Sequence, residues 1–157
     1  MSLKEELKLK KGFSIVEHEA VLNVYFTAAC LKKRADAFFK SFSLTDVQFN
    51  VMMLLVYQAG TEGGLSQAQL SDMMLVNRAN ITTLIDRMEK AGLVIRTSDS
   101  ADRRTNIIRL TAKGKNFYTK AEPYYDQQIK KMMTGLNQSE QKKLISTLEK
   151  VRAGLKE

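Results

Sequence analysis

The chain has 157 residues, with 25 Lys and Arg against 17 Asp and Glu and a formal net charge of +8. A content of 44% hydrophobic and 27% charged residues suits one ordinary globular domain and excludes disordered or collagen-like chains, the first poorer in apolar residues and the second richer in Gly and Pro. One cysteine, Cys30, cannot close an intramolecular disulfide, and one histidine, His18, removes the His-rich and Cys/His ligand sets of structural zinc. Carboxylate-only metal sites stay open, but no metal and no cofactor is expected.

No apolar run approaches the roughly 18 uncharged residues of a membrane span, and the opening MSLKEELKLKKG lacks the apolar core of a signal peptide. A soluble, cytoplasmic protein with no membrane partner is the expectation. The basic excess fits nucleic acid, an anionic surface or mere solubility, and its distribution separates these. Residues 78–115 hold nine basic and four acidic side chains, so five of the eight excess charges lie in about a quarter of the chain.

The single proline, Pro123, and eight glycines leave room for long helices. An apolar stripe through Leu22, Tyr25, Phe26, Ala29 and Phe38 predicts a first helix from about Ser14 to Lys40. Thr45 reads as an N-cap for a second helix, whose inward face is Phe49, Met52, Met53 and Val56; Gly60, Gly63 and Gly64 end it. Ser66 and Gln69 have the spacing of a capping box and open a short helix to Met73 or Met74. Asn77 caps the next helix, with Ile81, Leu84, Ile85 and Met88 on its core face and Gly92 as the left-handed residue after its end.

Beyond Gly92 the period changes. LVIRTS and TNIIRL are β-rich runs around the polar SDSADRR, a hairpin with a long charged tip. Thr111 and Lys113-Gly114 begin another helix through Met132, which Pro123 should kink or leave with an unbonded carbonyl. A last helix opens near Ser139 and carries Leu144, Leu148, Val151 and Leu155 on one face. With no repeat and no linker, a single domain is expected over 1–157: a core at about 44–115 and helical regions at 14–41 and 116–157. The fold class is mainly α with a small β-hairpin wing.

Helix, turn, helix and basic hairpin is the order of a winged helix-turn-helix, in which the second helix of the pair enters the major groove and the wing reaches a minor groove. At 100° per residue, the face opposite Ile81 and Ile85 holds Ala79, Thr82, Thr83 and Asp86, with Asn80 and Arg87 on its flank. Small polar residues let a helix sink into a groove, and Arg78 and Arg87 reach phosphates or a guanine. Any solvated helix is polar outside; the basic hairpin next to this one is what favours DNA. At its tip stand Arg103 and Arg104 beside Asp102, and an arginine suits a narrow minor groove because the negative potential concentrates there.

The stretch from Leu44-Thr45 through Asp86-Arg87-Met88-Glu89-Lys90-Ala91-Gly92-Leu93-Val94, Asp102-Arg103-Arg104 and Leu110-Thr111-Ala112-Lys113-Gly114 resembles the DNA-binding core of the MarR family of bacterial transcriptional regulators. The resemblance covers about 44–115. It implies that the helix from Asn77 is the recognition helix, that Arg104 is the wing-tip arginine in the minor groove, and that Asp102 braces it. Asp86, on the outer face among cations, is read as pairing with Arg87 or a wing arginine. The resemblance also implies a homodimer and a small aromatic or anionic effector; for the dimer, the apolar stripe of Leu144, Leu148, Val151 and Leu155 on the last helix supplies the expected interface residues. Tyr25, Phe26, Phe49, Met52 and Met53 are the candidate pocket, although the same residues suit a core equally.

The expected function is sequence-specific binding of double-stranded DNA at a pseudo-palindromic operator, as a ligand-responsive repressor. A winged-helix module that binds protein instead of DNA is the alternative. No Gly-rich phosphate loop, nucleophile elbow or His/Cys dyad points to an enzyme. Cys30 is expected as a small buried residue and His18 on a helix surface.

Overall fold

The computed structural model describes residues 1–60, 63–98 and 105–155. Its elements are α1 (Leu3–Glu6), α2 (Val16–Lys40), α3 (Asp46–Tyr57), β1 (Leu65–Ser66), α4 (Gln67–Met74), α5 (Arg78–Lys90), β2 (Val94–Ser98), β3 (Asn106–Leu110), α6 (Ala112–Met132) and α7 (Gln138–Ala153). They fall into two compact units, Met1–Lys115 and Asn116–Glu157.

Helix starts follow local chemistry. The Thr45 hydroxyl accepts from the Gln48 amide and the Gln48 side chain accepts from the Thr45 amide, a full capping box at α3. Ser66 and Gln69 do the same for α4, and the Asn77 carboxamide accepts from the Asn80 amide at 2.8 Å to cap α5. Gly92, at φ 70°, follows α5 in the left-handed region that only glycine enters freely.

In the first unit, α3, α4, α5 and the sheet enclose the core. Phe49, Val51 and Met52 of α3, Leu70 of α4 and Ile81, Ile85 and Met88 of α5 are essentially inaccessible to solvent, as are Val94 and Ile108 of the sheet. Phe39, the one buried residue of α2, stacks on Phe49 with ring centroids 4.5 Å apart. Lys32 bridges Asp36 of its own helix and Asp46 at the start of α3, and the hydrogen bonds to Asp46 and then Asp36 hold its ammonium above the ordinary lysine value.

The sheet is antiparallel in the order β1-β3-β2, with Arg96 opposite Ile108 and Leu65 also opposite Ile108 on the other side. Two elements go beyond the expected pattern. β1 is two residues and α1 four, the latter closed by a Ser2–Glu5 capping box; neither is long enough to show a period. α6 runs through Pro123 as one helix. In the second unit, Tyr118 and Ala121 are buried, and the Tyr118 hydroxyl donates to Glu122 at 2.6 Å. α7 starts one residue before the expected Ser139, because Asn137 and Glu140 form a capping box there. None of its residues is buried. Cys30 is exposed, contrary to the expectation of a buried residue, because α2 buries Phe39 alone. His18 is exposed and meets the Phe13 ring edge-on at 5.9 Å.

Candidate nucleic-acid interface

α4 and α5 are joined by Leu75, Val76 and Asn77. The buried Ser71 hydroxyl donates to the Val76 carbonyl at 2.5 Å, and the Val76 amide donates to the Ser71 carbonyl at 3.1 Å, so the turn is closed from both sides. This fixes where α5 begins. Once Ile81, Ile85 and Met88 are buried, helical geometry turns Arg78, Ala79, Asn80, Thr82, Thr83, Asp86 and Arg87 outward, and all seven are exposed. The two threonine hydroxyls donate to backbone carbonyls one turn back, Thr82 to Arg78 at 2.9 Å and Thr83 to Ala79 at 3.1 Å. The Thr82 oxygen also accepts from the Gln67 carboxamide at 3.4 Å, so the two methyl groups and the remaining acceptor capacity of the Thr83 oxygen face outward, a pairing that suits a thymine methyl or a base amino group.

The hairpin of β2 and β3 stands beside α5. Asp102, Arg103 and Arg104 lie outside the described residues, so the wing-tip assignments rest on the sequence alone. Within the described part, Asp86 pairs with a wing arginine that is Arg96 of β2, through Nη2 to Oδ1. Glu89, which sequence reading left without a role, takes the other side of the same guanidinium through Nη1 and also accepts the Arg96 amide at 3.0 Å. Burial pushes the Arg96 pKa down, but the hydrogen bonds to Asp86 and Glu89 outweigh it and hold the group above the ordinary arginine value. No sequence spacing links 86 and 89 to 96. The available signal was an acidic i, i+3 pair at the end of a helix, where the dipole disfavours negative charge unless a cation answers it.

Arg96 is therefore engaged within the protein, while Arg78, Arg87 and Lys90 present exposed cations along α5. Lys113 is also engaged, its ammonium donating to the Ala91 carbonyl at 2.7 Å. An apolar-walled cleft of about 360 Å³ opens next to α5, between Val47, Met74, Val76 and Leu84, with Asn80 and Arg87 on its rim. None of the five residues expected to form a ligand pocket lines it. Of those five, Phe49 and Met52 are core, closed off by packing such as the Phe39 stack; Phe26 and Met53 are half-buried and Tyr25 is exposed. Leu144 and Val151 are exposed on α7 and Leu148 is half-buried there, while Leu155, expected on the same helix, is exposed two residues beyond its end at Ala153, after the Gly154 cap.

Among known proteins, the sequence profile described as the MarR family matches residues 44–105. The transcriptional regulator HosA of Escherichia coli O157:H7 is 30% identical over 108 residues, 69% of this chain and 77% of the relative. The Staphylococcus aureus MepR–DNA complex superposes with a TM-score of 0.77 at 20% identity, covering 86% of this chain and 96% of that one. The organohalide-sensing regulator RdhR in its 2,4-dichlorophenol-bound form gives a TM-score of 0.78 at 22% identity, covering 93% and 87%.

Proposed function

Because the chain belongs to the MarR family, whose members are winged-helix transcriptional regulators and not enzymes, we propose that it is a ligand-responsive repressor that grips a pseudo-palindromic operator as a homodimer. The observation that carries this reading is α5: seven exposed residues, three of them small and two of them arginines, on the side away from a fully buried face. In this reading α5 lies in the major groove, where Ala79, Asn80, Thr82 and Thr83 meet base edges while Arg78 and Arg87 hold phosphates or a guanine. Arg103 and Arg104 enter the adjacent minor groove, with Asp102 as their brace.

A two-fold dimer would set the two recognition helices about 34 Å apart, one turn of DNA. MepR, of like fold, was crystallised with DNA, which supports the docking. RdhR, also of like fold, was solved with 2,4-dichlorophenol, which supports a small aromatic or anionic effector; Tyr25, Phe26 and Met53 are the candidates of the five with surface left to meet one.

The test is to select genomic fragments bound by the protein and to titrate them by fluorescence polarization beside a scrambled duplex. The selected duplex should bind far more tightly, and Arg87→Ala should weaken it by about 1–3 kcal/mol. Equal affinity for the two duplexes would instead favour the protein-binding module.

A further inference from the structure

The acidic pair on α5 is costly where it stands. Asp86 and Glu89 sit in the last five residues of the helix, where the dipole is negative, within the most basic segment of the chain. Asp86 is also on the face read here as meeting a polyanion. Arg96 answers both carboxylates at once: one nitrogen to each, with the Arg96 amide also donating to Glu89. Its side chain is only 20% exposed, against 51% for Asp86 and 38% for Glu89, so the guanidinium lies under the carboxylates it joins. At mid-strand in β2, opposite the fully buried Ile108 of β3, Arg96 is anchored to the sheet.

We propose that Arg96 is a specificity-determining positioning residue, which clamps wing strand β2 to the last turn of α5 so that helix and wing present themselves to DNA in one fixed geometry. It acts through Asp86 and Glu89 and makes no DNA contact of its own. The planar fork of a guanidinium can serve two carboxylates simultaneously, and a lysine ammonium cannot do so in the same geometry. The inference rests on the DNA-binding reading above, and one arm of its test does not.

That arm is hydrogen exchange on the free protein. Arg96→Lys keeps the charge and the fold while losing the fork, and should speed exchange of the residue-96 amide and of the β2–β3 ladder; unchanged protection overturns the clamp. In the DNA arm, polarization titrations across salt concentration compare Arg96→Lys and Arg96→Met on the selected duplex, its single-base-pair variants and a scrambled duplex. For Arg96→Lys, affinity for the selected duplex should fall about tenfold, with the loss of selectivity spread over several base pairs, while scrambled-duplex affinity and salt slope stay near wild type. Arg96→Met should lose selectivity at least as far.

Loss confined to one base pair would make Arg96 a base contact. A parallel fall of Arg96→Met on both duplexes, with the salt slope reduced by about 0.9 while Arg96→Lys keeps it, would make Arg96 a phosphate contact. Either result overturns the proposal, as does wild-type selectivity in Arg96→Lys. If the wild type itself shows no preferred duplex, the DNA-binding reading fails, and the exchange arm still decides the clamp.

Discussion

Leu75 occupies the turn between α4 and α5 at φ 52° and ψ 40°, with 89% of its surface in solvent. An L residue in the left-handed region costs roughly 1–2 kcal/mol, and this side chain recovers little of that by packing. Leu75→Gly should therefore stabilise the protein by about 1 kcal/mol, after allowance for the greater freedom glycine has in the unfolded chain. The urea midpoint, measured at fixed protein concentration, should rise with the slope unchanged; an unmoved midpoint would remove strain from the account of this turn. At this scale the readable residues were those whose partner lies three positions away. Thr45, Ser66 and Asn77 cap as the spacing predicts, since cap and amide belong to the same turn of chain. Ser71, whose hydroxyl closes the helix-turn-helix, shows no such signature. Its partner is the Val76 carbonyl, and any backbone carbonyl looks the same in a sequence.

Between elements, the joint at the end of α5 has the same character. The Thr111 hydroxyl donates to the Gly92 carbonyl at 2.6 Å, the Lys113 ammonium to the Ala91 carbonyl at 2.7 Å, and the Gly114 amide to the Thr111 hydroxyl at 3.0 Å. Thr111 and the first turn of α6 thus bond the carbonyls of Ala91 and Gly92, the two residues that follow α5 at its negative end. Gly114 is required by the closeness of that approach: a Cβ there would stand 2.0 Å from the Leu93 carbonyl oxygen and 3.0 Å from its carbon. Both colliding partners are backbone, so no rotamer relieves the clash. Gly114→Ala should cost about 3 kcal/mol, read as a lowered thermal midpoint, and a loss below about 1 kcal/mol would mean that α6 shifts freely at its start. The phrase LTAKG announced a helix start, but not what it touches, because the contact spans about twenty residues of sequence. β1 went unread for another reason: two residues carry no alternation, and the strand exists only because β3 offers it an edge.

For the whole molecule, charge and apolar surface were unequally legible. The location of the basic excess is additive and survives without any fold, so residues 78–115 pointed to nucleic acid at once; only the structure removes Arg96 from the cations that can face DNA. Apolar residues on α7 are a different matter, since a stripe at Leu144, Leu148, Val151 and Leu155 has the same period whether it meets its own chain or another. In the structure this 16-residue helix buries none of its residues, Ile145 and Val151 are 56% and 47% exposed, and Leu155, just past its end, is 77% exposed. Most of a helix's stability in a protein comes from packing its apolar face rather than from its caps, so a helix with Ile145 and Val151 in solvent suits a covering surface. A second copy of the chain supplies one in the proposed dimer. Leu148→Asp places a charge at the centre of that stripe and should shift sedimentation at micromolar concentration from dimer to monomer. Operator affinity should fall with it, because each half-site is then held by a separate molecule and the entropy of joining two is lost. A wild type that already sediments as a monomer would sink the interface. A mutant that stays dimeric yet loses the operator would move the effect of Leu148 to the placement of the DNA-binding unit.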